Sequence, residues 1–325
     1  MHPVGMHRVE RGDAVTFDGV DQLVVFTADG DAARKLYCDH LGFSVASRED
    51  VDGSGWGALW RLPDIPDRLR VTLLDKPGSK GGRLRLVELP GMGQSSRQRR
   101  FMDAGLFAFD FYVRDLWGLW EELRADGFEF KSEPLTYAMP GASSEILECL
   151  MAGPQGIWHS FIQYLPGRHR CLLASQPDQR VSEVVAVVQI VDDVERTLDV
   201  AVGGLGGKVY YDDVFGGPAI DRIVGLPPGS SFRVALVRGP GSRNARIELM
   251  RSVDGALSGR SAAAPVLLSI RTSDLDEQLA ALRVTGCRLL QGPVAVAATF
   301  VGGLVRAAYL ELDSNIHLEL VEQAG

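Results

Sequence analysis

The chain has 325 residues, of which 46% are apolar and 23% are charged, and this composition is typical of a globular protein with about two domains. The formal net charge of −8 argues against a nucleic-acid-binding protein, because phosphate recognition requires a basic surface. Four scattered cysteines without a C-x-x-C pair favour reduced thiols in a cytoplasm over a disulfide framework or a structural zinc site.

The first residues, "MHPVGMHRVERGDAVTF", lack the apolar core of a signal peptide. No stretch approaches 18 uninterrupted apolar residues, the length that a membrane-spanning helix requires. We therefore expect a cytoplasmic protein with no membrane partner.

The segment "DQLVVFTADGDAARKLYCDHLGF" predicts a strand, a helix and a turn into a second strand. Asp29 is a good helix N-cap because its carboxylate can accept hydrogen bonds from the free N–H groups of the first turn. Apolar residues then recur with helical spacing, and Gly42 suits the turn that ends the helix.

The same pattern occurs three more times along the chain, so the sequence contains four repeats. The capping aspartate and terminal glycine of the later copies are Asp115 and Gly127, Asp193 and Gly206, and Asp274 and Gly286. The cap-to-glycine spacing is 13, 12, 13 and 12 residues, and this alternation suggests that a pair of modules was itself duplicated. Each copy is followed by strand-like segments, so the predicted unit is a strand, a helix and about three strands.

A polar, turn-rich segment separates the second repeat from the third, and we expect a linker at residues 169–180. The first pair of modules then spans 1–168, with modules at about 18–92 and 103–168. The second pair spans 181–325, with modules at about 181–255 and 262–325. The predicted fold class is α+β, with two domains that each contain consecutive modules.

The repeats resemble the vicinal oxygen chelate superfamily, which includes glyoxalase I, bleomycin-resistance proteins and extradiol dioxygenases. The most specific segments are "DGDAARKLYCDHLGF" in the first module and "DSNIHLELVE" in the fourth. The resemblance implies four βαβββ modules whose curled mixed sheets enclose a cavity between paired modules. It also implies a divalent ion that binds vicinal substrate oxygens and stabilises an enolate or related oxyanion.

The resemblance places metal ligands on the first and last strand of each module, facing inward. The corresponding first-strand residues are Gln22, Ala108, Ala186 and Leu267, and the last-strand residues are Glu88, Ser160, Glu248 and Glu319. Gln22 and Glu88 resemble the contribution of a glyoxalase I first module. Ala186 and Leu267 stand where a dioxygenase-like site requires histidines, which argues against extradiol dioxygenase chemistry. Neither predicted pair has a complete ligand set.

Two versions of the site follow for the first pair of modules. In one version, Gln22 and Glu88 bind a divalent metal such as Zn, Ni, Mn or Fe, and Asp110, on the same strand face as Ala108, supplies a further carboxylate. In the other, no metal is bound, and Glu88 or Asp110 acts as a general base with a raised pKa. The substrate-binding residues predicted beside these carboxylates are Gln22, Phe109, Tyr112, Trp158 and Ser160.

In the second pair of modules, the candidate residues are Glu248, Glu319 and His317, and a lone histidine such as His317 is more often structural. The segment 210–236 is expected to be an irregular connection, either a lid over a cavity or a surface loop.

The predicted function is an enzyme that transfers a proton on a small molecule through an enolate-type intermediate: a lyase, isomerase, epimerase or cyclase. The alternative is a metal-free, bleomycin-resistance-type protein that sequesters an aromatic or cationic compound. Either is expected to act as a monomer or a homodimer.

Overall fold

The computed structural model describes residues 17–62, 65–91, 98–141, 144–167, 170–239, 245–253, 255, 259–260, 266–313 and 316–323. It has an α+β fold made of the four predicted repeats. Among these residues, no helix is both long enough and apolar enough to cross a membrane.

Each module starts with a strand and a helix and continues with further strands. Module 1 contains β1 (Gln22–Thr27), α1 (Gly30–Lys35), β2 (Ser44–Asp52), α2 (Gly53–Trp60), β3 (Arg68–Asp75) and β4 (Arg83–Glu88). Module 2 contains β5 (Asp103–Val113), α3 (Leu116–Ala125), β6 (Leu135–Ala138), β7 (Glu145–Ala152) and β8 (Trp158–Leu165). A short helix, α4 (Leu172–Ser175), lies in the segment expected to be a linker, and the domain boundary there stays a prediction.

Modules 3 and 4 repeat this order. Module 3 contains β9 (Val181–Ile190), α5 (Val194–Leu198), β10 (Lys208–Gly216), α6 (Pro218–Val224), β11 (Ser231–Arg238), β12 (Arg246–Ser252) and the two-residue β13 (Gly259–Arg260). Module 4 contains β14 (Val266–Thr272), α7 (Leu275–Val284), β15 (Arg288–Ala298), β16 (Gly303–Asp313) and β17 (Ile316–Glu322).

The predicted helix boundaries are confirmed in all four modules. The side chains of Asp29, Asp115, Asp193 and Asp274 each accept a hydrogen bond from a first-turn N–H group. Gly42, Gly127, Gly206 and Gly286 all have φ between +70° and +88°, a conformation that side-chain-bearing residues rarely adopt.

The alternating spacing of 13 and 12 residues has a structural cause. The two helices with the longer spacing continue as π-helical turns, at Leu36–His40 and Asp199–Gly204. The two helices with the shorter spacing are regular α-helices. A π-turn accommodates one extra residue in a helix without moving its ends, so the repeats keep the same architecture.

The modules pair differently from the prediction. One sheet has the strand order β15-β16-β17-β14-β1-β4-β3-β2, so module 1 lies beside module 4; we call it sheet A. The other has the order β10-β11-β12-β9-β5-β8-β7-β6, so module 2 lies beside module 3; we call it sheet B. The expected pairing of consecutive modules is therefore wrong. The first strands form the junctions, with β1 antiparallel to β14 and β5 antiparallel to β9.

Each sheet has one face in a shared core and one concave face under its own helix. The shared core contains residues from both sheets and from the helices α1, α3 and α7. The concave face of sheet A is covered by α2, whose Trp56 and Trp60 are buried against it. The concave face of sheet B is covered by α6, whose Ile220 and Ile223 are buried against it. The expectation that residues 210–236 form an irregular connection is therefore wrong, because the segment contains most of β10, all of α6 and most of β11. Of these elements, α6 lies over the concave face as a lid.

Candidate functional site

The concave face of sheet A carries a buried polar cluster made of Gln22, Arg85, Ser269 and Glu319, which we call the sheet A cluster. Arg85 and Glu319 form an ion pair of 3.0 Å, and both side chains are completely buried. Arg85 also donates to the Gln22 side-chain oxygen at 2.7 Å and to the Ser269 hydroxyl at 3.1 Å. The Ser269 hydroxyl donates to Glu319 at 2.8 Å. These contacts satisfy the buried charges within the protein.

Aromatic side chains close the sheet A cluster from above. The Trp60 indole N–H donates to Glu319 at 2.7 Å. The Arg85 guanidinium lies 4.5 Å from the centre of the Phe300 ring and 5.5 Å from that of Trp56. The Gln22 side chain donates to the Phe300 carbonyl at 2.9 Å. The concave face of sheet A is therefore filled by its own side chains.

The concave face of sheet B encloses a cavity of about 80 Å³ beneath α6, which we call the sheet B cavity. Its floor comes from the middle strands β5, β8, β9 and β12. Most of its wall is apolar or aromatic, including Phe107, Phe215, Ile220, Phe232 and Met250. The polar lining is concentrated in Asp110, Glu148, Ser160, Arg246 and Glu248 and in the tyrosines Tyr112, Tyr137 and Tyr164. Polar groups held in an otherwise apolar pocket are typical of small-molecule sites.

Three carboxyl groups lie in this cavity. Asp110 and Glu248 are hydrogen-bonded to each other. Glu148 accepts hydrogen bonds from the Ser160 hydroxyl at 2.6 Å and from the Tyr137 hydroxyl at 2.5 Å. Two carboxyl groups can share a hydrogen bond only if one of them holds a proton, so Asp110 and Glu248 form a proton-sharing pair.

Burial and mutual repulsion set the protonation of these groups. Burial and the neighbouring carboxylates of Glu248 and Glu148 raise the pKa of Asp110 well above its usual range. Burial also raises the pKa of Glu248, to about 7, although the positive charge of Arg246 opposes this shift. Burial raises the pKa of Glu148 as well. The cavity therefore holds at least one carboxyl proton near neutral pH.

Arg246 is the cation of the sheet B cavity, but it is anchored away from a direct ion pair. Its guanidinium donates to the Val185 carbonyl at 3.1 Å, the Tyr210 hydroxyl at 2.9 Å and the Tyr112 hydroxyl at 2.7 Å. The hydroxyl groups of Tyr112 and Tyr164 are 3.3 Å apart. Arg246 thus provides positive potential without neutralising the Asp110–Glu248 pair.

Residues 19–161 match the sequence model of the Glyoxalase/Bleomycin resistance protein/Dioxygenase superfamily. Glyoxalase I from Zea mays is similar in structure, with a TM-score of 0.64 and 16% identity over 94% of this chain and 93% of that one. A dioxygenase candidate from Bacillus subtilis has a TM-score of 0.56 and 13% identity over 96% of this chain and 87% of that one. The family match thus covers the first two modules, and the structural similarity extends a glyoxalase I-like fold over nearly the whole chain. No curated protein sequence matches it.

The superfamily resemblance assigned Gln22 and Glu88 to one site, and the structure separates them. Strand pairing aligns Phe26 with Val87 and Thr27 with Glu88, so Glu88 projects from the opposite face to Arg85 and Val87. Its carboxylate lies beside Gly30 at the start of α1 and 3.6 Å from Arg48. Gln22 is buried in the sheet A cluster. The expected site formed by Gln22 and Glu88 is therefore wrong.

The other predicted residues divide between the two sheets. Asp110, Tyr112, Ser160 and Glu248 line the sheet B cavity together. Phe109 does not, because it faces the shared core, and this prediction is wrong. Trp158 packs beside the cavity, where its indole N–H donates to the Arg99 carbonyl at 2.6 Å.

His317 and Glu319 belong to sheet A. The Nδ1 atom of His317 is 2.8 Å from the Tyr309 hydroxyl, and its ring stacks on the Tyr309 ring. Through these contacts His317 packs against its neighbour in sheet A, and burial lowers its pKa.

The sequence analysis did not predict three residues that determine the charge and hydrogen bonding of the two concave faces: Arg85, Glu148 and Arg246. Arg246 lies two residues before Glu248 on β12, so the strand period of two placed both on one face and was a usable signal. Glu148 lies on β7, which the family ligand positions do not include. Arg85 was not predicted because Glu88, on the same strand, was selected as the inward-facing residue.

The superfamily match raises the question of whether the side chains on either concave face could bind a divalent metal ion. Among the described residues, no group of three or more His, Cys, Asp or Glu side chains is arranged to hold a metal ion. In sheet A, the guanidinium of Arg85 already pairs with Glu319. In sheet B, Asp110 and Glu248 bond to each other, and the first-strand positions are Ala108 and Ala186. These donor sets do not fit the metal centre of the superfamily.

Proposed function

We propose that this protein is a small-molecule enzyme that moves a proton at a carbon next to a carbonyl group, and that it acts in the sheet B cavity. The observation that supports this proposal is the proton-sharing pair of Asp110 and Glu248 in an apolar pocket. A carboxylate is a useful general base when its pKa lies near the working pH, and burial shifts this pair in that direction. Lyases, isomerases and epimerases share such a step.

The two carboxyl groups take different roles in this proposal. Glu248, with the lower affinity for a proton, removes the proton from carbon. Asp110 keeps its proton and donates a hydrogen bond to the oxygen on which negative charge develops, a role that a neutral buried carboxylic acid can perform at neutral pH. Arg246 supplies positive potential to the same region, held by Tyr112 and Tyr210. No metal takes part in these steps.

The volume of the cavity implies that α6 moves when a substrate enters. The open space is about 80 Å³, whereas typical ligand pockets measure roughly 300–1,000 Å³. Ile220, Ile223 and Val224 of α6 form one wall. Displacement of α6 would enlarge the cavity on its apolar side, so the preferred substrate has an apolar or aromatic body and one polar carbonyl end.

Exchange of carbon-bound hydrogen for solvent deuterium tests this proposal without knowledge of the physiological substrate. Phenylacetone and 2-hydroxyacetophenone are incubated with the protein in D₂O, and deuterium at the carbon next to the carbonyl is followed by proton NMR. We expect the wild-type chain to accelerate exchange, and Glu248→Gln to reduce that acceleration by about 10²–10⁴-fold.

Glu145→Gln is the matched control, because Glu145 is an exposed residue three positions from Glu148 on the same strand. It should leave exchange unchanged. Acceleration that survives in Glu248→Gln, or that is equally reduced in the control, would contradict the assignment of the base. Absence of acceleration by the wild-type chain with these and further carbonyl compounds would count against proton-transfer chemistry.

A second candidate is a sequestering protein of the bleomycin-resistance type. Three carboxyl groups and several aromatic rings line the cavity against one arginine, and such a lining favours an aromatic cation. In this case Glu248→Gln would weaken binding of an aromatic amine such as phenethylamine, measured by calorimetry, and no variant or wild-type protein would catalyse exchange.

A further inference from the structure

A second cleft lies away from both concave faces, where module 1 meets module 2. Its volume is about 610 Å³, within the range of small-molecule sites. One wall comes from α1 and the π-helical turn that follows it, and the other comes from residues 152–155, at the end of β7 and the turn before β8. Nothing in the proposed chemistry of the sheet B cavity uses this cleft.

Two glutamines in this cleft hold buried oxygen atoms that have no protein partner among the described residues. They are the side-chain oxygens of Gln155 and Gln98. Gln155 is only 5% exposed, and its backbone adopts the left-handed conformation, with φ of +58°. A buried acceptor without a partner costs about 1–3 kcal/mol, and a strained non-glycine backbone adds to that cost. A ligand with N–H or O–H donors would supply the missing hydrogen bonds.

The charge of the cleft indicates which donors it favours. Asp29, Asp39 and Asp126 line it, against a single lysine, Lys35. Its remaining titratable side chain is His40, which lies 3.5 Å from the Asp126 carboxylate. Leu36 and Phe128 provide apolar surface between these charges. The cleft therefore combines a surplus of negative charge, unpartnered acceptors and apolar contact area.

We propose that this cleft binds a small organic cation with several N–H donors and an aliphatic body, the chemical class of alkyl polyamines. The ammonium groups would pair with Asp39 and Asp126 and donate to Gln155, and the methylene chain would cover Leu36 and Phe128. Charge-assisted hydrogen bonds of this kind are the strong ones, so specificity would come from donor spacing.

Isothermal titration calorimetry with spermidine tests the site, with 1,8-octanediol as the uncharged ligand of similar length. We expect saturable one-to-one binding of spermidine and none of the diol. Gln155→Met keeps the side-chain size but removes the acceptor, and it should weaken binding about tenfold. The double variant Asp39→Asn/Asp126→Asn should weaken it by more than tenfold.

Two controls separate this site from general attraction to an acidic protein and from the sheet B cavity. Asp31→Asn changes an exposed carboxylate on α1 outside the cleft and should leave the affinity unchanged. Glu248→Gln should also leave it unchanged. Absence of saturable binding would overturn the proposal. Equal weakening by Asp31→Asn, loss of binding in Glu248→Gln, or full affinity in Gln155→Met would overturn it as well.

Discussion

The two concave faces of this protein carry a glutamate at the corresponding position of a module's last strand, and the two glutamates have opposite environments. Glu319 of sheet A is paired with Arg85 and accepts hydrogen bonds from Ser269 and Trp60. Glu248 of sheet B faces a second carboxyl group, Asp110. Glu319 thus has a cationic partner for its charge. Among the described residues, Glu248 has no cation in direct contact and shares a proton with Asp110 instead. The comparison shows how one scaffold can hold the same residue type once in an ion pair and once beside a second carboxyl group.

An arginine accompanies each glutamate, and its orientation determines the difference. Arg85 directs its guanidinium at Glu319 and is enclosed by aromatic rings. Arg246 directs its guanidinium at a backbone carbonyl and the hydroxyl groups of Tyr112 and Tyr210. An arginine whose donors are already used by neutral acceptors leaves a nearby carboxylate without a direct partner. In sheet B, burial and the neighbouring carboxylates therefore raise the pKa values of the carboxyl pair against the opposing positive charge of Arg246.

The largest expected effect concerns sheet A. Glu319→Gln removes a charge that pairs with the fully buried Arg85, and we expect the free energy of unfolding to fall by about 3–5 kcal/mol. Urea unfolding of wild type and variant measures this loss. The double variant Arg85→Met/Glu319→Leu replaces both charges by apolar groups and should recover most of the stability. A loss below about 1 kcal/mol in Glu319→Gln would contradict a structural role for the ion pair.

The same substitution in sheet B should have the opposite sign. The native state retains protons on Asp110 and Glu248 that the unfolded chain releases above its ordinary carboxyl pKa values of 3.8 and 4.5. The free energy of unfolding of the wild-type protein therefore falls as the pH rises from about 4.5 to 7. Glu248→Gln removes this loss, so the variant should be more stable than wild type by about 1–3 kcal/mol at pH 8.

The control for this prediction is the pH itself. At pH 4.5 the carboxyl group of Glu248 is protonated in the native state and resembles an amide, so the variant and the wild type should differ little in stability. Urea unfolding at pH 4.5 and pH 8 gives both values. A stability difference that does not change with pH would show that Glu248 has an ordinary pKa.

A smaller effect is expected at the lid of the sheet B cavity. Lys131 donates to the carbonyl of Val224 at the end of α6, at 2.7 Å, and its ammonium lies 4.8 Å from the centre of the Trp158 ring. Lys131→Met should lower stability by about 1 kcal/mol and speed hydrogen exchange of the α6 amides about fivefold. Mass-spectrometric hydrogen exchange measures this, and unchanged exchange would contradict the role of Lys131 in holding α6.

Arg222 provides the smallest expected effect and a matched control for the lid. Its ion pair with Glu133 also joins α6 to module 2, at 2.6 Å, but the two side chains are 58% and 43% exposed. Solvent screens such a pair, so Arg222→Gln should change stability by less than about 0.5 kcal/mol and leave the exchange of α6 nearly unchanged.

Local structure was predictable from the sequence because its signals are local. A capping aspartate, a helical run of apolar residues and a terminal glycine recur four times, and all four helices begin and end as predicted. The cap-to-glycine spacing even carried information about the π-turns, because one extra residue must be accommodated between two conserved ends of the repeat.

The pairing of modules was not predictable in the same way. All four first strands are apolar and present similar edges, so nothing in the pattern of β1 identifies β14 rather than β5 as its neighbour. The choice depends on contacts between strands that are more than 240 positions apart, as in the register of Gln22 with Ser269. This is a tertiary preference that a periodic pattern does not contain.

The error at Glu88 has a simpler cause. In "RLRLVEL" several polar residues alternate with apolar ones, and a shift of one residue exchanges the two faces of a strand. The family pattern favoured an acidic residue and selected Glu88, whereas the inward polar residue is Arg85. At Asp110 the face could be inferred correctly, because Ala108 and Asp110 are two residues apart on one continuous strand.

Carboxyl carbon-13 NMR tests the central claim most directly, because it needs no substrate. Protein labelled at the side-chain carboxyl carbons of aspartate and glutamate is titrated from pH 3 to pH 9, with Glu248→Gln as the assignment control. We predict a carboxyl resonance with a midpoint near pH 7 in the wild-type protein, absent in the variant. If every glutamate and aspartate resonance titrates below about pH 5, the sheet B cavity holds no proton-sharing pair, and the contrast between the two faces does not exist.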